Sequence, residues 1–304
     1  MTAPGLSGEI TQTHQLKNSM SSLFVALQYL LPQHLLSRFI GVFASSKRLK
    51  PLLIKSFIRR YGVNMGEALI EDPERYSSFN EFFTRELKPG VRPLANGSNA
   101  VFCPADGAIS QIGDINKDQL LQAKGKHYSV SDLLGGDMEW AVRFYDGCFA
   151  TIYLSPRDYH RVHMPVSGQL QKMLYIPGKL FSVNQVTANS VANLFARNER
   201  AVCLFSTEAG PMAVILVGAM IVAGIDTVWS GQVCPGAGKR QIRISDYRDN
   251  TPPISISGGD EMGRFRLGST AIVLFEPGAV SLDNSLESEA PVRVGQLLGN
   301  ITSN

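Results

Sequence analysis

Apolar positions change their period along the chain, and the change divides it into three stretches. Over residues 1–66, Leu35, Leu36, Phe39, Ile40, Val42 and Phe43 recur at helical spacing, and so do Leu52, Leu53, Phe57, Ile58 and Tyr61. Pro32 and Pro51 fit the first turns of such helices, where a missing N–H costs nothing. Residues 67–98 are a polar connector. Within it, Ser77 or Ser78 can cap a short helix that carries Phe79, Phe82 and Phe83 on one side. Lys88-Pro89-Gly90 and Arg92-Pro93 then break the pattern. From Asn99 to residue 304 the period becomes that of short strands between Gly/Pro turns. Ile242 and Ile244 alternate with Gln241, Arg243 and Ser245, which predicts a half-buried strand. Residues 201–206 and 212–218, joined by Thr207-Glu208-Ala209-Gly210-Pro211, predict a hairpin, and 271–275 predicts a buried strand closed by Glu276-Pro277-Gly278. The expected class is α+β, a helical N-terminal region on a β-rich body.

Composition narrows this picture. Of 304 residues, 44% are hydrophobic and 18% charged, so the chain can bury a large core and a solvated, disordered chain is excluded. The apolar run 212–225 is too short for a spanning helix, which needs about 20 residues. It ends at Asp226 and reads as a buried strand or strand pair. The first 15 residues lack a basic start and an apolar core, so no signal peptide is expected. Cys103, Cys148, Cys203 and Cys234 are scattered without metal-ligand spacing and read as reduced residues of a cytoplasmic protein. The net charge of +3 hides an asymmetry: eight Lys and Arg against Glu9 alone give residues 1–66 a formal +7. A basic end suggests an anionic partner. The basic helices either lie in an anionic membrane interface or pack on the body with their charges solvated, and pattern alone does not choose. No nucleic-acid recognition motif accompanies them.

Three segments could carry chemistry. In Arg264-Phe265-Arg266-Leu267-Gly268-Ser269-Thr270, the Ser269 hydroxyl could attack its own upstream carbonyl in an N-to-O acyl shift. A glycine before it admits the distorted backbone, and Thr270 could donate to the developing oxyanion. The same Gly-Ser-Thr is also an ordinary turn into a strand. In Ser155-Pro156-Arg157-Asp158-Tyr159-His160-Arg161-Val162-His163, a capping serine and first-turn proline predict a short helix that puts His160 and His163 on one face. That pair reads as metal ligands, as a general acid and base, or as a surface turn. Asp106-Gly107 is either a plain turn or a buried carboxylate that orients a histidine toward a serine.

Together these segments resemble the bacterial phosphatidylserine decarboxylase proenzymes. The resemblance also takes in residues 78–87, 177–184, 193–200 and 261–265, and runs from about Ser78 to Gly299. It implies self-cleavage between Gly268 and Ser269, with Ser269 becoming a covalent pyruvoyl group, His163 the base that activates it and Asp106 the residue that orients His163. It implies a role for His160 in decarboxylation itself, in protonating the product carbanion. A β chain, 1–268, and an α chain, 269–304, would stay together non-covalently at the cytoplasmic face of the inner membrane. The pyruvoyl ketone would form a Schiff base with the serine amine of phosphatidylserine and act as electron sink, giving phosphatidylethanolamine and carbon dioxide. No Gly-rich phosphate loop or cofactor lysine motif calls for an added cofactor. Two rivals stand beside this reading. One is a metal-dependent hydrolase with His160, His163 and Asp106 as ligands; the other is a membrane-adaptor domain whose basic helices are its whole function.

Overall fold

A computed structural model describes residues 25–29, 50–123, 125–219, 224–233, 241–266 and 269–302. Gly268, Pro32, Cys234 and most of the first 49 residues lie outside the described set. Its centre is a nine-stranded antiparallel sheet. The path runs Arg243–Asp246, Gly168–Ile176, Arg200–Thr207, Gly210–Gly218, Ser269–Phe275, Cys148–Leu154, Gly107–Asp114 and Pro291–Val292, with Ser255–Ile256 also pairing the second of these. The expected hairpin is there, and the predicted 271–275 strand begins two residues earlier, at Ser269. Every residue of Ser269–Phe275 is buried, with partners on both sides from Ser269↔Leu154 and Ser269↔Gly218 to Phe275↔Cys148 and Phe275↔Met212.

Strand alternation gives this sheet two apolar faces. Ala271, Val273 and Phe275 join Val162, Met164, Met262 and Phe265 in one core, against a four-stranded sheet that contains Ile225–Thr227, Glu261–Phe265 and Arg161–His163. Ile272 and Leu274 join Val130, Leu133, Trp140, Phe144, Leu194 and Phe195 in the other, under short helices. The continuous apolar runs in the sequence are therefore strands covered on both faces. The Arg243–Asp246 strand departs from expectation. It is the outermost strand, with a neighbour on one side only, and Ile244 is 61% exposed rather than half-buried.

The Lys50–Tyr61 helix starts with Pro51 in its first turn, as its sequence requires. Ser78 caps the Phe79–Phe83 helix by accepting from Glu81 N–H at 3.1 Å, and Phe79, Phe82 and Phe83 are buried. Ile54, Leu53, Phe57 and Ile58 pack on those phenylalanines. The apolar stripe of this basic helix is thus spent on the body, leaving Leu52, Ser56, Arg59 and Arg60 exposed along one side. No described helix is long and apolar enough to cross a membrane. Cys103, Cys148 and Cys203 are free and buried, with their thiols pushed up by burial.

Candidate active site

Ser269 opens the central strand, directly after residues 267–268, which lie outside the described set. Its side chain is fully buried, and Oγ has no hydrogen-bond partner among the described residues; Thr270 Oγ1 is in the same condition. Two free buried hydroxyls at one strand end are costly unless something uses them. Alternation puts Thr270 on the opposite face of the strand from Ser269. Just upstream, Arg266 is tied down through its N–H to the Gly224 carbonyl at 3.0 Å and through Nε to Asp226 Oδ2 at 3.1 Å.

The helix expected at Ser155–His163 does not form. Asp158 Oδ2 accepts from both the N–H and the hydroxyl of Ser155, at 2.7 and 2.6 Å, closing a turn. The chain then extends directly into the Arg161–His163 strand. The turn satisfies the serine and aspartate that would otherwise cap a helix, and strand pairing with Glu261–Phe265 takes the rest. His160 and His163 are consequently not partners on one helical face.

His160 is fully buried and stacks on Phe83, with ring centroids 4.0 Å apart. Its Nε2–H donates to the Ser155 carbonyl at 3.1 Å, and its own carbonyl accepts from Phe265 N–H at 3.0 Å. Ser155 follows Leu154, the partner of Ser269, and Phe265 precedes Ser269 by four residues. His160 is therefore laced to both segments that flank the Ser269 end. A carbonyl can only accept, so Nε2 carries the proton and Nδ1 is a bare, buried acceptor without a partner. Burial, then the nearby Arg85 charge, lowers its pKa to about 3, so the ring is neutral near pH 7.

His163 is half-buried and held differently. Nδ1–H donates to the Gly259 carbonyl at 2.7 Å, and Nε2 lies 3.1 Å from the Tyr159 hydroxyl, which donates to it. Burial lowers its pKa, partly opposed by the Gly259 carbonyl and by the charges of Glu261 and, more weakly, Asp106. His163 N–H also donates to the Pro104 carbonyl at 2.8 Å, two residues from Asp106.

Asp106 is 6% exposed and fully engaged. Arg92 Nε donates to its Oδ1 at 2.9 Å, Arg92 Nη2 to its Oδ2 at 2.5 Å, and Val294 N–H to Oδ1 at 2.9 Å. Arg92 Nη2 also donates to Glu67 at 2.7 Å. Asp106 and His163 make no hydrogen bond to each other; Asp106 reaches His163 through its charge. Gly107 explains the Asp-Gly pair: its φ is +154°, and a Cβ there would lie 2.1 Å from the Tyr153 carbonyl oxygen. Tyr153 pairs with both Ala108 and Thr270, so the Asp106 strand lies two strands, about 10 Å, from the Ser269 end. The structure brings Asp106, His163, His160 and Ser269 to one end of the sheet. Sequence reading missed Arg92, Tyr159, Gly259 and Arg85. Tyr159 lies inside the Ser155–His163 segment, while Arg92 sits in the Arg92-Pro93 break.

The family model for phosphatidylserine decarboxylase matches residues 79–300, and a second, described as PSD, matches 23–62. The chain is 58% identical over 279 residues to the phosphatidylserine decarboxylase proenzyme of Pseudomonas aeruginosa (strain LESB58), covering 91% of this chain and 96% of that one. The chain belongs to the phosphatidylserine decarboxylase family. Similar proenzymes include those of Ectopseudomonas mendocina (strain ymp), 57% identical with 91% and 98% covered, and Bordetella pertussis (strain Tohama I), 56% with 91% and 93%. The protein is a self-processing proenzyme that decarboxylates phosphatidylserine. The rival readings gain no support: among the described residues no three His, Cys, Asp or Glu side chains are grouped to hold a metal ion, and the match spans the whole β-rich body.

Proposed function

We propose that the chain cuts itself between Gly268 and Ser269 and that Ser269 becomes the pyruvoyl group of the mature decarboxylase. The observation that carries this is the buried Ser269 hydroxyl, which has no partner among the described residues and opens a strand whose flanking segments, at Ser155 and Phe265, hold His160. Ser269 Oγ attacks the Gly268 carbonyl carbon, the C–N bond breaks and an ester forms. A base then removes the Ser269 α-proton and the ester C–O bond breaks, releasing the Gly268 carboxylate. Hydrolysis of the remaining dehydroalanine releases ammonia. His163 is assigned the base, after Tyr159 gives up its Nε2, and Asp106 biases it by charge. Thr270 is assigned the donor to the developing oxyanion.

An N-terminal pyruvoyl supplies an electron sink for carboxylate loss. His160 moves the proton to the substrate Cα. Being neutral at rest with Nδ1 bare, it first takes up the proton that it later gives. The α chain, 269–304, stays bound without a covalent link, because its first strand is clamped on both sides and its other strands pair with Gly107–Asp114 and Ala100–Phe102. We assign residues 1–66 to the anionic inner-membrane surface, 67–98 to the connector and 99–304 to catalysis. Membrane contact would use the exposed side with Arg59 and Arg60. Their joint replacement by Glu should lower pelleting with anionic vesicles by about 1 kcal/mol or more per charge, leaving cleavage intact. Unchanged pelleting would remove this helix from the membrane.

Intact mass decides the central claim. Wild type should give two fragments split after Gly268, the smaller with a blocked N-terminus, and Ser269→Ala one uncut chain. A wild type that stays full-length and active would refute it.

A further inference from the structure

A cavity of about 500 Å³ lies beside Asp106, between the end of the basic helix at Gly62 and Asn64 and the Arg157–Tyr159 turn. That volume suits a small polar ligand. Four arginines face three carboxylates around it, and the carboxylates are already engaged. Arg92 takes Asp106 and Glu67, while Ser155 donates to Asp158. Donors remain on the other arginines. Arg157 has only a 3.8 Å contact with Asp158, and Arg293 only one at 3.4 Å with Glu67; both side chains are largely exposed. Beneath them Arg85 is 4% exposed, and its Nη2 donates to the Arg157 and Asp158 carbonyls. Its guanidinium lies 5.7 Å from the Phe82 ring centroid, and Nε and Nη1 have no hydrogen-bond partner among the described residues. A buried guanidinium with two unfilled donors is strongly unfavourable unless an anion compensates it.

We propose that this cavity seats the phosphodiester of the phosphatidylserine headgroup, with Arg157 and Arg293 in contact and Arg85 as the buried cation beneath. This rests on the reading of the Ser269 end as the reaction centre. Guanidinium forks match phosphate oxygens. The reacting carboxylate is the weaker choice, because pairing it with arginines would stabilise the ground state and slow its loss. Two neighbours agree with the placement. The cavity wall at Asp158 and Tyr159 leads directly into His160, toward which the serine part would extend. The opposite wall ends the basic helix, on the side assigned to the lipid surface.

The test uses the uncut Ser269→Ala chain and glycerophosphoethanolamine, which carries the phosphodiester and amine but no carboxylate. Calorimetry should show binding that weakens about tenfold for each charge-assisted contact removed in Arg157→Gln and Arg293→Gln. L-serine, which lacks the phosphodiester, should bind alike to all three chains. In the mature enzymes the same substitutions should raise KM for short-chain phosphatidylserine in neutral detergent more than they lower kcat. Arg85→Lys, which keeps the charge, should weaken binding less than Arg85→Gln. Unchanged glycerophosphoethanolamine binding in the Arg157→Gln/Arg293→Gln chain overturns the proposal, and so does a loss confined to L-serine. An uncut wild type would sink the reading of Ser269 instead, while calorimetry on the uncut chain still decides the cavity.

Discussion

The two sides of the site are built on opposite principles. On the Asp106 side the carboxylate itself is answered: Arg92 binds Asp106 and Glu67, and Val294 N–H fills a further lone pair. On the Ser269 side the polar groups are buried and unanswered: Ser269 Oγ, Thr270 Oγ1 and His160 Nδ1 all lack hydrogen-bond partners among the described residues. The first arrangement is stable and rigid; the second carries an energetic burden that the fold around it must hold in place. The burden falls where the chain is best clamped, at the end of a strand paired on both sides. Under the proposed roles, the serine that reacts once is the one without hydrogen bonds among the described residues, while the charge assigned to bias its base is the one that is fully paired.

The largest expected effect tests whether the satisfied side is chemistry or only framework. Asp106→Asn keeps an oxygen for Val294 N–H but loses the charge. If that charge biases His163, self-cleavage should slow by about 10²–10⁴, the range for impairing a general base. Fragment appearance over time, followed by mass, measures it. Asp106→Asn that folds and cleaves at the wild-type rate would reduce Asp106 to an anchor for Arg92.

Next comes the division between the histidines. His160→Ala should still mature, because His163 remains to act at Ser269, yet release carbon dioxide about 10²–10⁴ more slowly. His163→Ala should stay uncut or cleave very slowly. The geometry makes this a sharp question. His160 holds the free lone pair and is tied to both segments flanking the Ser269 end, whereas the lone pair of His163 is covered by Tyr159. Should His160→Ala fail to mature, the free lone pair is the one that processing uses. Tyr159→Phe then separates the cases, since uncovering His163 should speed cleavage only if His163 is the base.

How much of this could be read beforehand follows from the range of the interactions. Local signals were legible: Ser77 or Ser78 as a cap, Pro51 in a first turn, and Ala271–Phe275 as a buried strand. The His160–His163 helix was not, because Ser155 and Asp158 carry the same local signal for a closed turn as for a helix start. What decides is the pairing of Arg161–His163 with a strand a hundred residues away. Arg92 was invisible for a similar reason. It sits in a Pro/Gly-rich break, and its partners Glu67 and Asp106 lie 25 and 14 residues off. The packing of the Lys50–Tyr61 helix was open for the same reason, since only tertiary contact shows that Phe79, Phe82 and Phe83 take its apolar stripe and leave the Arg59 and Arg60 side exposed.

The smallest effect is a pH dependence of stability that belongs to the unanswered side. His160 is held at about 3 and His163 below its ordinary value, in both cases first by burial. The unfolded chain takes up protons at these residues below about pH 6.5, while the folded chain does not until its own lower values are reached. Stability therefore falls as the pH drops through 6.5 and continues to fall toward 3. The slope is about 1.4 kcal/mol per pH unit for each histidine that stays neutral in the fold. Urea unfolding of the Ser269→Ala chain between pH 7.5 and 5.5 measures it free of processing. Carboxylates that titrate lower down contribute little in that window, so His160→Gln should flatten the slope. A slope unchanged by His160→Gln would mean that the ring already carries a proton in the folded state. Nδ1 would then be a donor, and the bare acceptor at the centre of the contrast between the two sides would not exist.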